Sequence, residues 1–262
     1  MSNVSDNGRR VPSILSAGMS IEGDIVSEGE VHILGHHSGN IVARKLTLGE
    51  GGTITGTVKF SGTLPPPTPI NFGAEKQCAL VHGTTPPNVE DIVVNSNGTV
   101  RDVLIYVTGE VAGQYAAPME PFVFEQHGCI FVPHVGAVMV GQPVEVRNDD
   151  PILHNVRAQS KLGQSFNIAQ PVQGMKTTKK LLKPEIGIPL KCDVHFWMTG
   201  YLHVLPHPFF AITGPDGAFT ITGLPPGTYP LEAWHGKLGT KQLTVTVTGD
   251  ELQALEFTLA KS

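Results

Sequence analysis

Within one short stretch, Cys192-Asp193-Val194-His195-Phe196-Trp197-Met198, the chain places a thiolate, an imidazole and a thioether. A second imidazole lies about forty residues upstream, after a turn, in Asn148-Asp149-Asp150-Pro151-Ile152-Leu153-His154-Asn155-Val156. Two His, one Cys and one Met make the ligand set of a blue-copper site. The two nitrogens and the thiolate form a trigonal plane, and the thioether is a long, weak axial ligand. Soft sulfur selects copper over harder ions, and a thioether adds little for zinc. Met198 is therefore the informative residue, because Cys192 and His195 alone could be a buried thiol and a buried ring.

These residues need elements to hold them. The Cys-to-Met loop is short, so it must turn tightly between two strands and deliver three ligands from one end of a sandwich. His154 must come from the end of a neighbouring strand. Helical periodicity is scarce, while short Val/Ile/Thr runs between Gly and Pro turns are frequent, which reads as an all-β fold. Strands are expected at Asp91–Val94, Val103–Val107, Cys129–Val132, Pro143–Val146 and Tyr201–Leu205. Their spacing suits a Greek-key sandwich. A short helix or loop is expected around residues 160–170. The basic run Lys176-Thr177-Thr178-Lys179-Lys180-Leu181-Leu182-Lys183 reads as an edge strand guarded by lysines.

The two ligand segments resemble those of plastocyanin- and amicyanin-like cupredoxins. From about residue 53 to 262 the chain is similar to bacterial plastocyanin-like proteins carrying a carboxypeptidase-regulatory-like module, some of them described as methylamine-utilisation proteins. The matching stretches are the ligand segments with Gly56-Thr57-Val58-Lys59-Phe60-Ser61-Gly62, Gly128-Cys129-Ile130-Phe131-Val132-Pro133-His134-Val135 and Gly223-Leu224-Pro225-Pro226-Gly227-Thr228-Tyr229. The resemblance implies copper on His154, Cys192, His195 and Met198. It also implies that Asn155 pins the cysteine loop, a role outer hydrogen bonds play at metal sites. It suggests a periplasmic or cell-envelope location, a transient redox partner, and a small transthyretin-like sandwich at the C-terminal end.

Ahead of this region the chain repeats itself. Ile21-Glu22-Gly23-Asp24-Ile25 returns as His37-Ser38-Gly39-Asn40-Ile41 and as Ile54-Thr55-Gly56-Thr57-Val58, at a spacing of 16 to 17 residues. Short strands with turn glycines at a fixed period suit a β-helix, in which each rung buries its face on the next. Residues 13–53 resemble the start of a bactofilin, which implies self-assembly through this segment. His32, His36 and His37 lie here without a Cys or carboxylate to complete a ligand set. The expected division is a disordered tail at 1–12, the β-helix segment at 13–53, the copper sandwich at 54–205, and the second sandwich at 206–262, with strand 54–62 open to either sandwich.

Composition narrows the function. The net charge of −5 disfavours a nucleic-acid role. No apolar run is long enough to cross a bilayer as a helix. Arg9-Arg10 precedes a stretch broken by Pro12 and Ser13 that runs into Glu22, a poor signal peptide, so a cytoplasmic location stays open. Cys78 and Cys129 form a disulfide in an oxidising compartment, or remain two buried thiols in a reducing one. His134 and His235 lack partners at ligand spacing and read as buried, hydrogen-bonded rings. No phosphate loop, nucleophile elbow or paired carboxylates occur, so no enzyme activity is expected. The leading reading is an electron carrier whose His195, flanked by Phe196 and Trp197, sits near an apolar docking surface. The alternative is a structural protein with a scaffold segment, in which a copper or zinc site stabilises the fold or sequesters metal.

Overall fold

The structure is a computed structural model that describes residues 13–15, 20–33, 36–38, 41–48, 52–64, 66–247 and 252–261. Residues 1–12, expected to form a tail, lie outside the described residues, as do the side chains of His32, His36 and His37. The first strands are β1 (Ser13–Leu15), β2 (Ser20–Glu22), β3 (Ile25–Ile33), β4 (His36–Ser38) and β5 (Ile41–Leu48). β3 pairs in parallel with β1 and β5, and β2 pairs in parallel with β4. Ser20 faces His36 and Ile25 faces Ile41, so the register reproduces the sequence repeat. Parallel neighbours at this spacing are stacked rungs. Val31 is buried, whereas Val26 and Val42 face each other across the rungs and are 78% and 62% exposed.

Then follow β6 (Gly52–Ser61), α1 (Lys76–His82), β7 (Leu104–Val107), β8 (Phe122–His127), β9 (Ile130–Val132) and β10 (Val135–Met139). Next come β11 (Pro143–Asn148), β12 (His154–Ala158), β13 (Phe166–Gln170), β14 (Lys176–Lys180), β15 (Glu185–Lys191) and β16 (Thr199–Leu205). The chain closes with β17 (Phe210–Ile212), β18 (Ala218–Leu224), β19 (Gly227–His235), β20 (Gly239–Val247) and β21 (Leu252–Ala260).

These strands form two sandwiches. In the first, a five-stranded sheet ordered β10-β16-β15-β12-β13 faces a four-stranded sheet ordered β14-β11-β8-β9. Alternation makes the core: along β11 the inward residues are Val144, Val146 and Asn148. They pack with Phe124, Phe131 and Leu202. The lysine-rich β14 lies at a sheet edge, where it was expected. In the second sandwich, sheets ordered β17-β7-β19-β20 and β18-β6-β21 enclose Ile54, Ile105, Leu231 and Phe257.

Two local expectations change. The stretch around 160–170, expected as a short helix or loop, is a loop through Ser165 and then β13, in which half-buried Phe166 and Ile168 alternate with exposed Asn167 and Ala169 and pair against β12. Asp91–Val94 is not a strand; Val94 makes one bridge to Val100 across a turn at Asn95–Gly98. Strands β6 and β7 both belong to the second sandwich, so that unit gathers segments from before and after the first. The two sandwiches meet through Leu104, Ala137 and Leu205, with Trp234 against them. Gly187 sits at a bulge of β15 with φ +72°, and a Cβ there would lie 2.7 Å from the Trp234 ring.

Candidate metal centre

Three strand ends meet at one end of the first sandwich. β12 begins at His154, and β15 runs into the loop Cys192–Met198, which leads into β16. The loop closes on itself: Cys192 N–H donates to Met198 O (3.1 Å), and Met198 N–H donates to His195 O (2.9 Å). Cys192, His195, Met198 and His154 are all at most 3% exposed. The ring atoms converge. His154 Nδ1 lies 2.9 Å from His195 Nδ1, and Cys192 Sγ lies 3.7 Å from His195 Nδ1. His154, Cys192 and His195 form one buried cluster able to hold a metal ion. Met198 lies in the same core.

Asn155 ties the loop down. Its Oδ1 accepts from Asp193 N–H (2.6 Å) and from the Cys192 thiol (3.3 Å). Its Nδ2 donates to Asn167 Oδ1 (2.8 Å) and Asp193 Oδ2 (3.1 Å), and Asp193 also pairs with Arg157 (3.1 Å). A backbone N–H from His195 reaches Cys192 Sγ at 3.4 Å.

Asp150 is the residue that sequence reasoning passed over. It is 4% exposed, and its Oδ2 lies 2.8 Å from His154 Nε2. The carboxylate also accepts from Gly128 N–H and Cys129 N–H, each at 2.8 Å. Those two residues form the hairpin turn between β8 and β9, at φ +64° and +59°. Positive φ at both positions is the signature of a two-residue type I′ turn, and it aims consecutive N–H groups at one anion. With Nε2 held by Asp150, the Nδ1 edge of His154 faces His195 and the Cys192 side of the site. The only sequence signal was proximity: Asp150 stands four residues before His154, on the turn that delivers it.

The charges follow from these contacts. Burial alone would raise the Cys192 pKa, but hydrogen bonds from His154, His195 and nearby backbone outweigh it and bring it down to about 6. Burial alone would lower the His154 pKa, yet the Asp150 hydrogen bond and the Cys192 thiolate leave it raised. Burial opposes Asp150 ionisation, but His154 and the two turn N–H groups hold its pKa below the usual value. A second buried group, Cys129, Asp150 and His154, offers no thiolate, because Cys129 is disulfide-bonded to Cys78 with a Cα–Cα distance of 5.7 Å.

One expectation is corrected. His195 does not reach an apolar surface: it is 1% exposed, and the carboxylate of Glu75 stands 3.9 Å from its Nε2. Phe196, 79% exposed, forms the outer tip of the loop instead. The covering residues come from the segment 70–82, to which the sequence assigned no role beyond the candidate disulfide of Cys78. His134 and His235 are hydrogen-bonded or paired rings. His134 Nδ1 is 3.8 Å from Glu90, and His235 Nδ1 accepts from Lys237 N–H and Leu238 N–H. Neither joins a metal-binding cluster among the described residues.

Comparison with known proteins gives two independent likenesses. Residues 13–64 match the bactofilin family, described as polymer-forming cytoskeletal. Among solved structures, the chain is similar to a copper-containing nitrite reductase from Thermus scotoductus SA-01, at 23% identity and TM-score 0.31. That match covers 37% of this chain and 24% of the reductase chain. It is also similar to a purple cupredoxin from Nitrosopumilus maritimus at 19% identity, covering 31% of this chain and 97% of that one, with TM-score 0.28. A Cu(I) methionine variant of amicyanin matches at 16% identity over 38% of this chain and 97% of that one, with TM-score 0.29. No curated protein matches the chain. Among the described residues no helix is long and apolar enough to cross a membrane.

Proposed function

We propose that this chain is a copper-binding, non-enzymatic electron carrier, in which His154, Cys192, His195 and Met198 would hold the metal. The observation that supports it best is the buried cluster of His154, Cys192 and His195, whose ligand atoms lie within 4.8 Å of one another. The donor set fits copper, because two imidazoles, a thiolate and a thioether are soft, and three come from one clamped loop. Bound there, copper would supply a one-electron Cu(I)/Cu(II) couple. The chain's own residues do the rest. Asn155 and the loop hydrogen bonds fix the sulfur, Asp150 fixes the His154 ring, and the core keeps water away. Fixed ligands let both oxidation states share one geometry. The disulfide suits an oxidising compartment such as the periplasm or cell envelope. The second sandwich, similar to a carboxypeptidase-regulatory-like module, serves as scaffold.

Titrating the apo protein with Cu(II) tests this directly. An intense blue charge-transfer colour is expected at one equivalent, and Cys192→Ser should lose it with an unchanged far-UV dichroism spectrum. A colourless, redox-silent copper complex would leave only a structural or sequestering metal site.

A second role has its own support. The in-register Val26 and Val42 leave an apolar face open on the rungs, and isolated rungs bury too little to stand without neighbours. We infer that residues 13–64 assemble copies of the chain, as the description of the matching family suggests.

A further inference from the structure

The cover over His195 is held by few attachments, and one of them is covalent, the bond between Cys78 and Cys129. The segment 70–83 buries only Ile70, Phe72 and Cys78, while Leu80 and Val81 on the same short helix are 79% and 54% exposed. Its ends are pinned by Ile70 N–H to Pro87 O (2.8 Å) and Val89 N–H to Thr68 O (2.8 Å). Phe72 stacks on His82 at 5.3 Å and meets the Trp197 ring edge-on at 5.4 Å. The His82 ring Nε2 lies 2.7 Å from Gly128 O. Glu75 closes the Nε2 edge of His195.

Cys129 sits at the crossing point. Its sulfur bonds Cys78 in α1, and its N–H donates to Asp150, which holds His154. Its carbonyl accepts from Trp197 Nε1–H at 2.9 Å, inside the ligand loop. One turn residue therefore connects the cover, the histidine on β12 and the Cys-to-Met loop. Two buried side chains are a slender apolar anchor for an ordered loop, so the covalent link carries much of the closure.

We propose that the Cys78–Cys129 disulfide latches this segment as a cap over the metal site, and that a dithiol reductant unlatches it and exposes the His195 imidazole. In the opening step one thiolate of the reductant attacks a sulfur of the pair, forming a mixed disulfide and releasing the other cysteine. The second reductant thiolate then displaces the remaining cysteine. Two electrons and two protons pass to the protein, giving Cys78 and Cys129 thiols, and the reductant leaves as its cyclic disulfide. With the copper reading, on which this consequence rests, the state of the disulfide would set whether a partner can approach the His195 edge of the site.

The decisive experiment needs no metal. The full-length apo protein is labelled with diethylpyrocarbonate, and tandem mass spectrometry follows His195 and His154. Three samples are compared: disulfide intact, reduced with dithiothreitol and desalted without oxygen, and Phe72→Ala with the disulfide intact. His195 should label about tenfold faster in the reduced protein and measurably faster in Phe72→Ala, while His154 stays protected in all three. Equal His195 labelling before and after reduction would overturn the latch. A parallel rise at His154 would also overturn it, because the whole sandwich rather than the cap would then have opened. A copper titration of the same samples keeps the two readings apart. Failure to bind copper in every sample would sink the electron-carrier reading and leave the cap result standing.

Discussion

Replacing Asp150 with Asn removes one charge and one acceptor from the most heavily used carboxylate near the site. In the native protein, Oδ1 accepts from Gly128 N–H, while Oδ2 meets Cys129 N–H and His154 Nε2, all at 2.8 Å. An asparagine of the same shape must put its NH2 where one oxygen was. At the Oδ1 position it confronts Gly128 N–H, donor against donor, and leaves that buried group unpaired, at a cost of ~1–3 kcal/mol. The remaining bonds lose their charge assistance, a further ~1 kcal/mol. The expected loss is thus about 2–4 kcal/mol, and with a urea slope of ~1–3 kcal/mol per molar the midpoint should fall by about 1–2 M. Fluorescence of Trp197 in a Trp234→Phe background reports the first sandwich alone. The sign with pH also follows. The native pKa of Asp150 is depressed, so the advantage over Asn is whole above the unfolded carboxylate pKa near 3.9. It fades as pH falls through the lower native value. A midpoint shift under ~0.3 M at neutral pH would refute the idea that the carboxylate organises this end of the sandwich.

Gly187→Ala forces a side chain onto a positive-φ position and into the Trp234 ring, which should cost about 2–4 kcal/mol and loosen the contact between the sandwiches, measured by thermal unfolding. His203 is buried, accepts from Gly187 N–H through Nδ1, and burial drops its pKa to about 3. Below pH ~6.5 the unfolded chain takes up a proton that the native one refuses, so stability should fall by up to about 1.4 kcal/mol per pH unit until pH nears 3. His203→Gln should flatten that slope in urea titrations, and an unchanged slope would contradict the assignment. Val26→Glu places a charge on the open face of the rungs opposite Val42 and should lower the assembly size seen by light scattering. The same size in both proteins would remove the assembly role.

The candidate ligands were legible because their chemistry is local: spacing within one loop and one turn carries it. The guard lysines of β14 and the rung period were legible for the same reason. What escaped the sequence was long-range. Nothing in the segment 70–82 announces a cover, since the partners of Phe72, Cys78 and His82 are Trp197, Cys129 and Gly128. The pairing of Cys78 with Cys129 depends on a Cα separation that only the fold supplies. Asp150 stood in plain sight, but its burial depends on a turn formed by Gly128 and Cys129. β13 was missed, beside a loop that was expected, because Phe166 and Ile168 make too short a period-two run to declare itself before β12 pairs with it.

β6 and β21 run in the same direction, from Thr53 opposite Leu252 to Ser61 opposite Ala260. Force applied through the rungs enters at the start of β6, and force applied at the far end of the chain enters at the end of β21. Pulled that way, the two strands must slide past each other along their whole length, and every bond of the ladder resists at once. Both chain excursions that build the metal site leave and rejoin the second sandwich inside this clamp. A tug on the ends would therefore strain the scaffold and spare the candidate ligands.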